Sequence, residues 1–223
     1  MSNGHNAEFL KNPIDYLSKV VVMTVGSDFG TVDPNSAYAA MHIDMALVDS
    51  GINSGTKSVK ANFNIGPLGD APIKGGFVPY ASKGDVKNGR FPLPALELPS
   101  AGSPKFVFTG AMNGCSLVLA TKGGKKYAIH YPNSDGATHR FPMLTEAGYT
   151  YVKSLDYYKL SDDKASYGTL VNGDREAPGG GWYNTFAFFY YKDGAWSIIG
   201  QPQIAKMVGN TVAGSINGDI IVI

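Results

Sequence analysis

Residues 182–201 constrain the fold more than any other stretch of this chain. They read as two strands joined at Asp193-Gly194, a pair suited to a type I′ hairpin turn because both positions tolerate positive φ. Alternation along the first strand places Phe186, Phe188 and Tyr190 on one face. Tyr183, Ala187, Phe189 and Tyr191 take the other. Neither face is suited to water, so the strand belongs between two layers, and the rest of the chain must supply a cover for each side.

Other segments supply strands for those layers. Residues 20–25 are β-branched, 59–65 alternate apolar and polar, and 105–109, 116–121, 126–131 and 218–223 read as strands. Residues 13–17 form a strand or a short helix, and 36–48 and 146–160 fit either type. Between 66 and 104, Pro67, Pro72, Pro79, Pro92, Pro94, Pro99 and Pro104 forbid a long helix and leave room for one or two edge strands. Phe77, Val78, Tyr80, Phe91, Leu93 and Leu96 make that region too apolar to be a linker. No repeat interrupts the 223 residues, a length that suits one domain. The expected fold is α+β: a β-sandwich of mixed strands with peripheral helices and long loops, in a single domain over 1–223 whose first 12 residues are flexible.

Charge excludes some classes of function. A formal net charge of +1 provides no field for nucleic acid or an anionic membrane, and no run of about 18 apolar residues is present to span a bilayer. The polar start carries no Sec signal. A single cysteine excludes an internal disulfide and a multi-thiolate zinc site. Asp15, Asp44 and Asp70 cluster with no histidine, so neither a metal nor a cofactor is expected.

That cysteine, Cys115, lies in the segment Thr109-Gly-Ala-Met-Asn-Gly-Cys115, followed by a strand, a tight turn and a strand ending in His130. A turn at Gly123-Gly124 sets Cys115 opposite Pro132 and diagonal to His130, whereas a turn at Lys122-Gly123 sets Cys115 directly opposite His130. In both registers the two side chains share a face. A thiol near its reference pKa of about 8.5 is a weak nucleophile at neutral pH, and a neighbouring imidazole activates it and later protonates a leaving amine. Gly114 lets the backbone turn tightly, and N–H groups around Gly114 and Cys115 are candidates to hold an oxyanion. Asn113 is a candidate to line the cleft. Thr109, or a backbone carbonyl from the Pro-rich region, is the candidate to orient the histidine. His5, His42 and His139 read as terminal, structural and loop residues.

The segment from Thr109 to Cys115, with His130 fifteen residues on, resembles the catalytic core of the bacterial glutamine-deamidase toxins, the cytotoxic necrotizing factors and the Burkholderia lethal factor. Those share Leu-Ser-Gly-Cys with a histidine on the next strand; here Met112-Asn113-Gly114-Cys115 stands in its place, with Met for Leu and Asn for Ser. Thr109 is similar to the third catalytic residue of the lethal factor. The resemblance implies a monomeric toxin or effector, made in a bacterial cytoplasm and delivered to a host. It also implies a host protein as substrate, a Rho GTPase or a translation-initiation helicase, whose glutamine amide is hydrolysed. Two rival readings are another Cys-His amidase, peptidase or transglutaminase, and a non-catalytic module recognising its ligand through Trp182, Tyr183, Tyr190 and Trp196.

Overall fold

The computed structural model describes residues 4–24, 29, 31, 33, 35–47, 57–66, 71–90, 92–132, 141–157, 166–168, 176–177, 179–209 and 211–223. The first half comprises α1 (His5–Lys11), α2 (Pro13–Leu17), β1 (Val20–Met23), β2 (Tyr38–Leu47), β3 (Lys57–Asn64), β4 (Ile73–Phe77), α3 (Lys83–Lys87), β5 (Ala95–Glu97) and β6 (Phe106–Phe108). The second half comprises β7 (Ser116–Lys122), β8 (Lys125–Tyr131), α4 (Pro142–Glu146), β9 (Thr150–Leu155), β10 (Glu176–Ala177), β11 (Gly181–Lys192), β12 (Ala195–Val208), β13 (Thr211–Ile216) and β14 (Ile221–Val222). His139, Asp70, Pro67 and Phe91 lie outside the described residues, as do positions 25, 48 and 158–160.

The strands form two sheets. The larger runs β1-β3-β2-β4-β6-β11-β12-β13, with β10 beside β11 and β14 beside β12. It is mixed: β1–β3 and β4–β6 pair in parallel and its other pairs are antiparallel. The smaller is antiparallel, in the order β5-β8-β7-β9.

The hairpin β11–β12 is the shared middle. It turns at Asp193-Gly194 with φ of 51° and 82°, and Lys192 faces Ala195. Phe186 and Phe188 join Phe106, Phe108 and the helix residues Phe9, Tyr16 and Leu17 in one core. Ala187 and Phe189 face the other way and meet Leu117, Leu119, Ala128 and Leu155 of the smaller sheet. Helices thus cover one side of the hairpin and a second sheet the other, and the fold is α+β and β-rich. A third cluster backs the smaller sheet, where Val118, Ala120, Ile129 and Tyr131 pack with Phe141, Met143 and Leu144. The larger sheet curls, and buried glutamines tie its ends together. Gln201 Nε2 on β12 donates to the carbonyls of Leu17 and Val20 at 2.6 Å each, and its Oε1 accepts from Val22 N–H at 2.9 Å. Gln203 Nε2 donates to Val22 O at 2.8 Å. These amides satisfy backbone groups of α2 and β1.

Several expectations need correction. Residues 5–11 are not frayed but form α1, because Phe9 is fully buried beneath the larger sheet and anchors an otherwise polar helix. His5 is likewise buried, with Tyr16 Oη 3.0 Å from its Nδ1. Of the two segments that fit either type, Tyr38–Leu47 is the strand β2 and Thr150–Leu155 the strand β9, with Glu146 ending α4. In the Pro-rich region β5 is an edge strand, but β4 is interior, between β2 and β6. A five-residue helix, α3, starts there on Ser82, whose Oγ accepts from Asp85 N–H.

Candidate active site

The tight turn between β7 and β8 falls on Gly123-Gly124, with φ of 58° and 78°, values that side-chain-bearing residues rarely adopt. Lys122 therefore faces Lys125, Leu117 faces His130 and Ser116 faces Tyr131. Of the two registers open in the sequence, the one placing Cys115 diagonal to His130 is the one formed, because two glycines at the tip allow a two-residue turn centred on both. Leu117 and Leu119 point between the sheets, and Cys115 joins their cluster. His130, opposite Leu117, belongs to the same face.

Thr109 follows the last residue of β6 and reaches His130 from the larger sheet, with Oγ1 and Nδ1 2.6 Å apart. The same hydroxyl donates its proton to Val78 O at 3.0 Å. Since that proton is committed to the carbonyl, the proton in the Thr109–His130 bond belongs to Nδ1. The lone pair of the neutral ring is then left on Nε2, the tautomer a general base needs. Both candidate orienting groups are thus present in series: the threonine, and behind it a carbonyl of the Pro-rich region. Val78 is held beside Thr109 because its N–H donates to Phe108 O at 2.9 Å, extending the parallel pair β4–β6.

His130 is 1% exposed, and burial pushes its imidazole down to about 3. Among the described residues, Nε2 has no hydrogen-bond partner. Leaving a buried polar atom unpaired costs about 1–3 kcal/mol, so this nitrogen is a standing expense at the centre of the fold.

The loop into Cys115 is pinned at Met112, which exchanges backbone hydrogen bonds with Thr185 on β11 at 3.2 and 3.1 Å. Gly114 follows at φ 84°, with open space where a Cβ would sit, and Asn113 is exposed. Cys115 is 7% exposed and leads directly into β7, not into a helix as a papain-like nucleophile would. Its backbone is gripped by a residue invisible as a site component in the sequence. The buried hydroxyl of Tyr167 donates to Cys115 O at 2.7 Å and accepts Cys115 N–H at 3.2 Å. The expectation that the Cys115 N–H faces an oxyanion is corrected here, since that group points at a buried phenol.

Tyr80 completes the surroundings. Its ring meets His130 edge-on, with centroids 5.2 Å apart and planes at 63°. Burial, then the charges of Cys115 and Asp85, push its phenol upward. It also lines a cavity of about 460 Å³ with Pro79, Leu93, Pro94 and Tyr149. The Pro-rich region thus forms the wall next to the histidine. No local pattern marks Tyr80 or Tyr167; each reaches the site through tertiary packing.

The remaining candidates fall elsewhere. His42 Nδ1 lies 3.2 Å from Ile65 O on β2, away from Cys115 in the sheet order. Asp44 accepts from Asn6 Nδ2 at 2.7 Å. The aromatic quartet does not make one surface. Trp182, Tyr190 and Trp196 pack into three different clusters, with Tyr183 joining the cluster of Trp196. Trp196 is buried and donates to Pro99 O at 3.2 Å. Among the described residues, no helix is long and apolar enough to cross a membrane.

Fold and site together define a two-sheet α+β protein in which a threonine-held histidine lies on the same inter-sheet face as the sole cysteine. No protein-family profile matches the chain, and no curated protein matches its sequence. Among solved structures it is similar to the crystal structure of the C-terminal domain of CNFy from Yersinia pseudotuberculosis. The two are 11% identical, with a TM-score of 0.41, over 99% of this chain and 97% of that one.

Proposed function

We propose that this chain is a cysteine-dependent hydrolase that converts a glutamine side chain of a host protein to glutamate. The observation that carries the reading is the hydrogen-bond series Val78 O, Thr109 Oγ1, His130 Nδ1, which leaves Nε2 as a proton acceptor on the face that also bears Cys115. The substrate class comes from the resemblance of the segment from Thr109 to Cys115 to the deamidase toxins, with delivery to a host cytosol as its corollary.

The chemistry runs in two halves. His130 Nε2 takes the thiol proton, and the Cys115 sulfur attacks the carboxamide carbon to form a tetrahedral adduct. Imidazolium returns the proton to the amide nitrogen, the C–N bond breaks, ammonia leaves and a thioester remains. His130 then takes a proton from water, whose oxygen attacks the thioester. The C–S bond breaks as the imidazolium returns that proton to sulfur, regenerating the thiol and leaving a glutamic acid that ionises to carboxylate. Exposed Asn113 and open Gly114 leave room for substrate at the nucleophile.

The test is to incubate the protein with a Rho GTPase, a translation-initiation helicase and a host-cell lysate, reading ammonia and mapping amide-to-acid conversion by mass spectrometry. Conversion at one glutamine by the wild type, absent with Cys115→Ser and His130→Gln, is expected. Cleaved peptide bonds instead would make it a peptidase, and no conversion in any arm would end the hydrolase reading.

A further inference from the structure

The deamidase reading needs His130 Nε2 to meet both the thiol and the departing nitrogen, yet that atom is sealed. Two named neighbours of the ring are fixed. Thr109 is fully buried and tied to Val78, and Leu117 is fully buried within β7. Tyr80 differs from both. It packs edge-on against the imidazole, belongs to no helix or strand, and is 45% exposed. Rotation about its side-chain bonds moves the ring without any displacement of the buried sheets. The 460 Å³ cavity that Tyr80 also lines gives the phenol ring somewhere to go.

We infer that Tyr80 is the gate of this site: its ring, against His130, closes the imidazole off, and turning it toward the adjoining cavity uncovers Nε2 for the substrate carboxamide. The inference rests on the proposed Cys115–His130 chemistry for its purpose, but not for its test. Closed, the gate keeps the base dry and uncharged; burial already holds the imidazole far below its ordinary range. Open, it admits the group whose nitrogen must be protonated. Access to the base, as well as binding at the thiol, then becomes part of substrate selection.

Diethyl pyrocarbonate, which modifies uncharged imidazole, reads the gate without any turnover. The four histidines are separated by peptide mapping, with half-buried His42 as the reactive reference and buried His5 as a monitor of the fold. If the open form is a minor state populated at roughly 0.1–10%, Tyr80→Ala speeds modification of His130 by about 10- to 1,000-fold. Tyr80→Phe, which keeps the ring, leaves the rate as in the wild type, and Tyr80→Trp, a wider plate, lowers it. Should His5 gain reactivity as well, Tyr80→Leu replaces the alanine variant. A His130 that stays slow in the truncated variant, or one that reacts as fast in Tyr80→Phe, overturns the gate. If labelling behaves as expected but no glutamine converts, the gate stands and the deamidase reading falls.

Discussion

Thr109 orients a histidine with a neutral hydroxyl. A carboxylate in that place would attract the imidazolium and raise the ring's pKa; a hydroxyl fixes the tautomer and leaves burial unopposed, which agrees with the direction seen. Thr109→Val should strand Nδ1–H without an acceptor and lower stability by about 1–3 kcal/mol in urea unfolding. With the tautomer unspecified, glutamine conversion should fall by about 10²-fold, the lower end of what a general base contributes. Thr109→Ser, which restores the hydroxyl, should recover both. Tyr167→Phe tests the grip on Cys115. One missing oxygen unpairs the N–H and C=O of Cys115, and the expected loss of about 1–3 kcal/mol is readable by thermal unfolding.

The hairpin β11–β12 links two cores with consecutive residues, and this gives a paired prediction. Phe188 and Phe189 are both fully buried, one toward the helices and the other toward the cluster holding Cys115. Truncating either to alanine should cost about 3–5 kcal/mol. Only Phe189→Ala should also change the rate at which a thiol reagent labels Cys115 in the folded protein; equal rates in both variants would mean that the sulfur does not sense that core. The same hairpin explains how much was readable beforehand. A strand apolar on both faces and a Gly-Gly tip are strong local signals, and they led to the layered fold and to two registers that share a face. β4 gave no such signal, because Gly75 and Gly76 erase the alternation of an interior strand. A Cβ at Gly75 would lie 2.9 Å from the Phe108 ring, and one at Gly76 would lie 3.0 Å from Leu96. Helix α1 was missed because Phe9, with buried His5 and Asn6, docks it through distant partners, and that tertiary packing overrides the local preference of a mostly polar sequence. Tyr167 lies fifty-two residues from Cys115, beyond any periodicity argument.

At the scale of the whole molecule, the sealed imidazole links the site to acid stability. The unfolded chain takes a proton at His130 near the ordinary value of 6.5, whereas the folded chain refuses it down to about 3. The contribution is therefore fully present above 6.5 and is lost progressively as pH falls toward 3, with a slope of up to about 1.4 kcal/mol per pH unit. Urea midpoints measured across that window should decline more steeply for the wild type than for His130→Gln, and parallel declines would show that this ring is not the group responsible. The bond between Thr109 and His130 has a consequence of its own, since it joins the larger sheet to the smaller. A catalytic tautomer defined across a seam survives only while the halves stay docked, and a displacement of roughly 1 Å at a reacting centre can cost on the order of 10²-fold in rate. Gentle warming that slides one layer over the other would undo that alignment with every strand still intact, so the working lifetime of the site would be set by the fit of that seam and not by the melting of the fold.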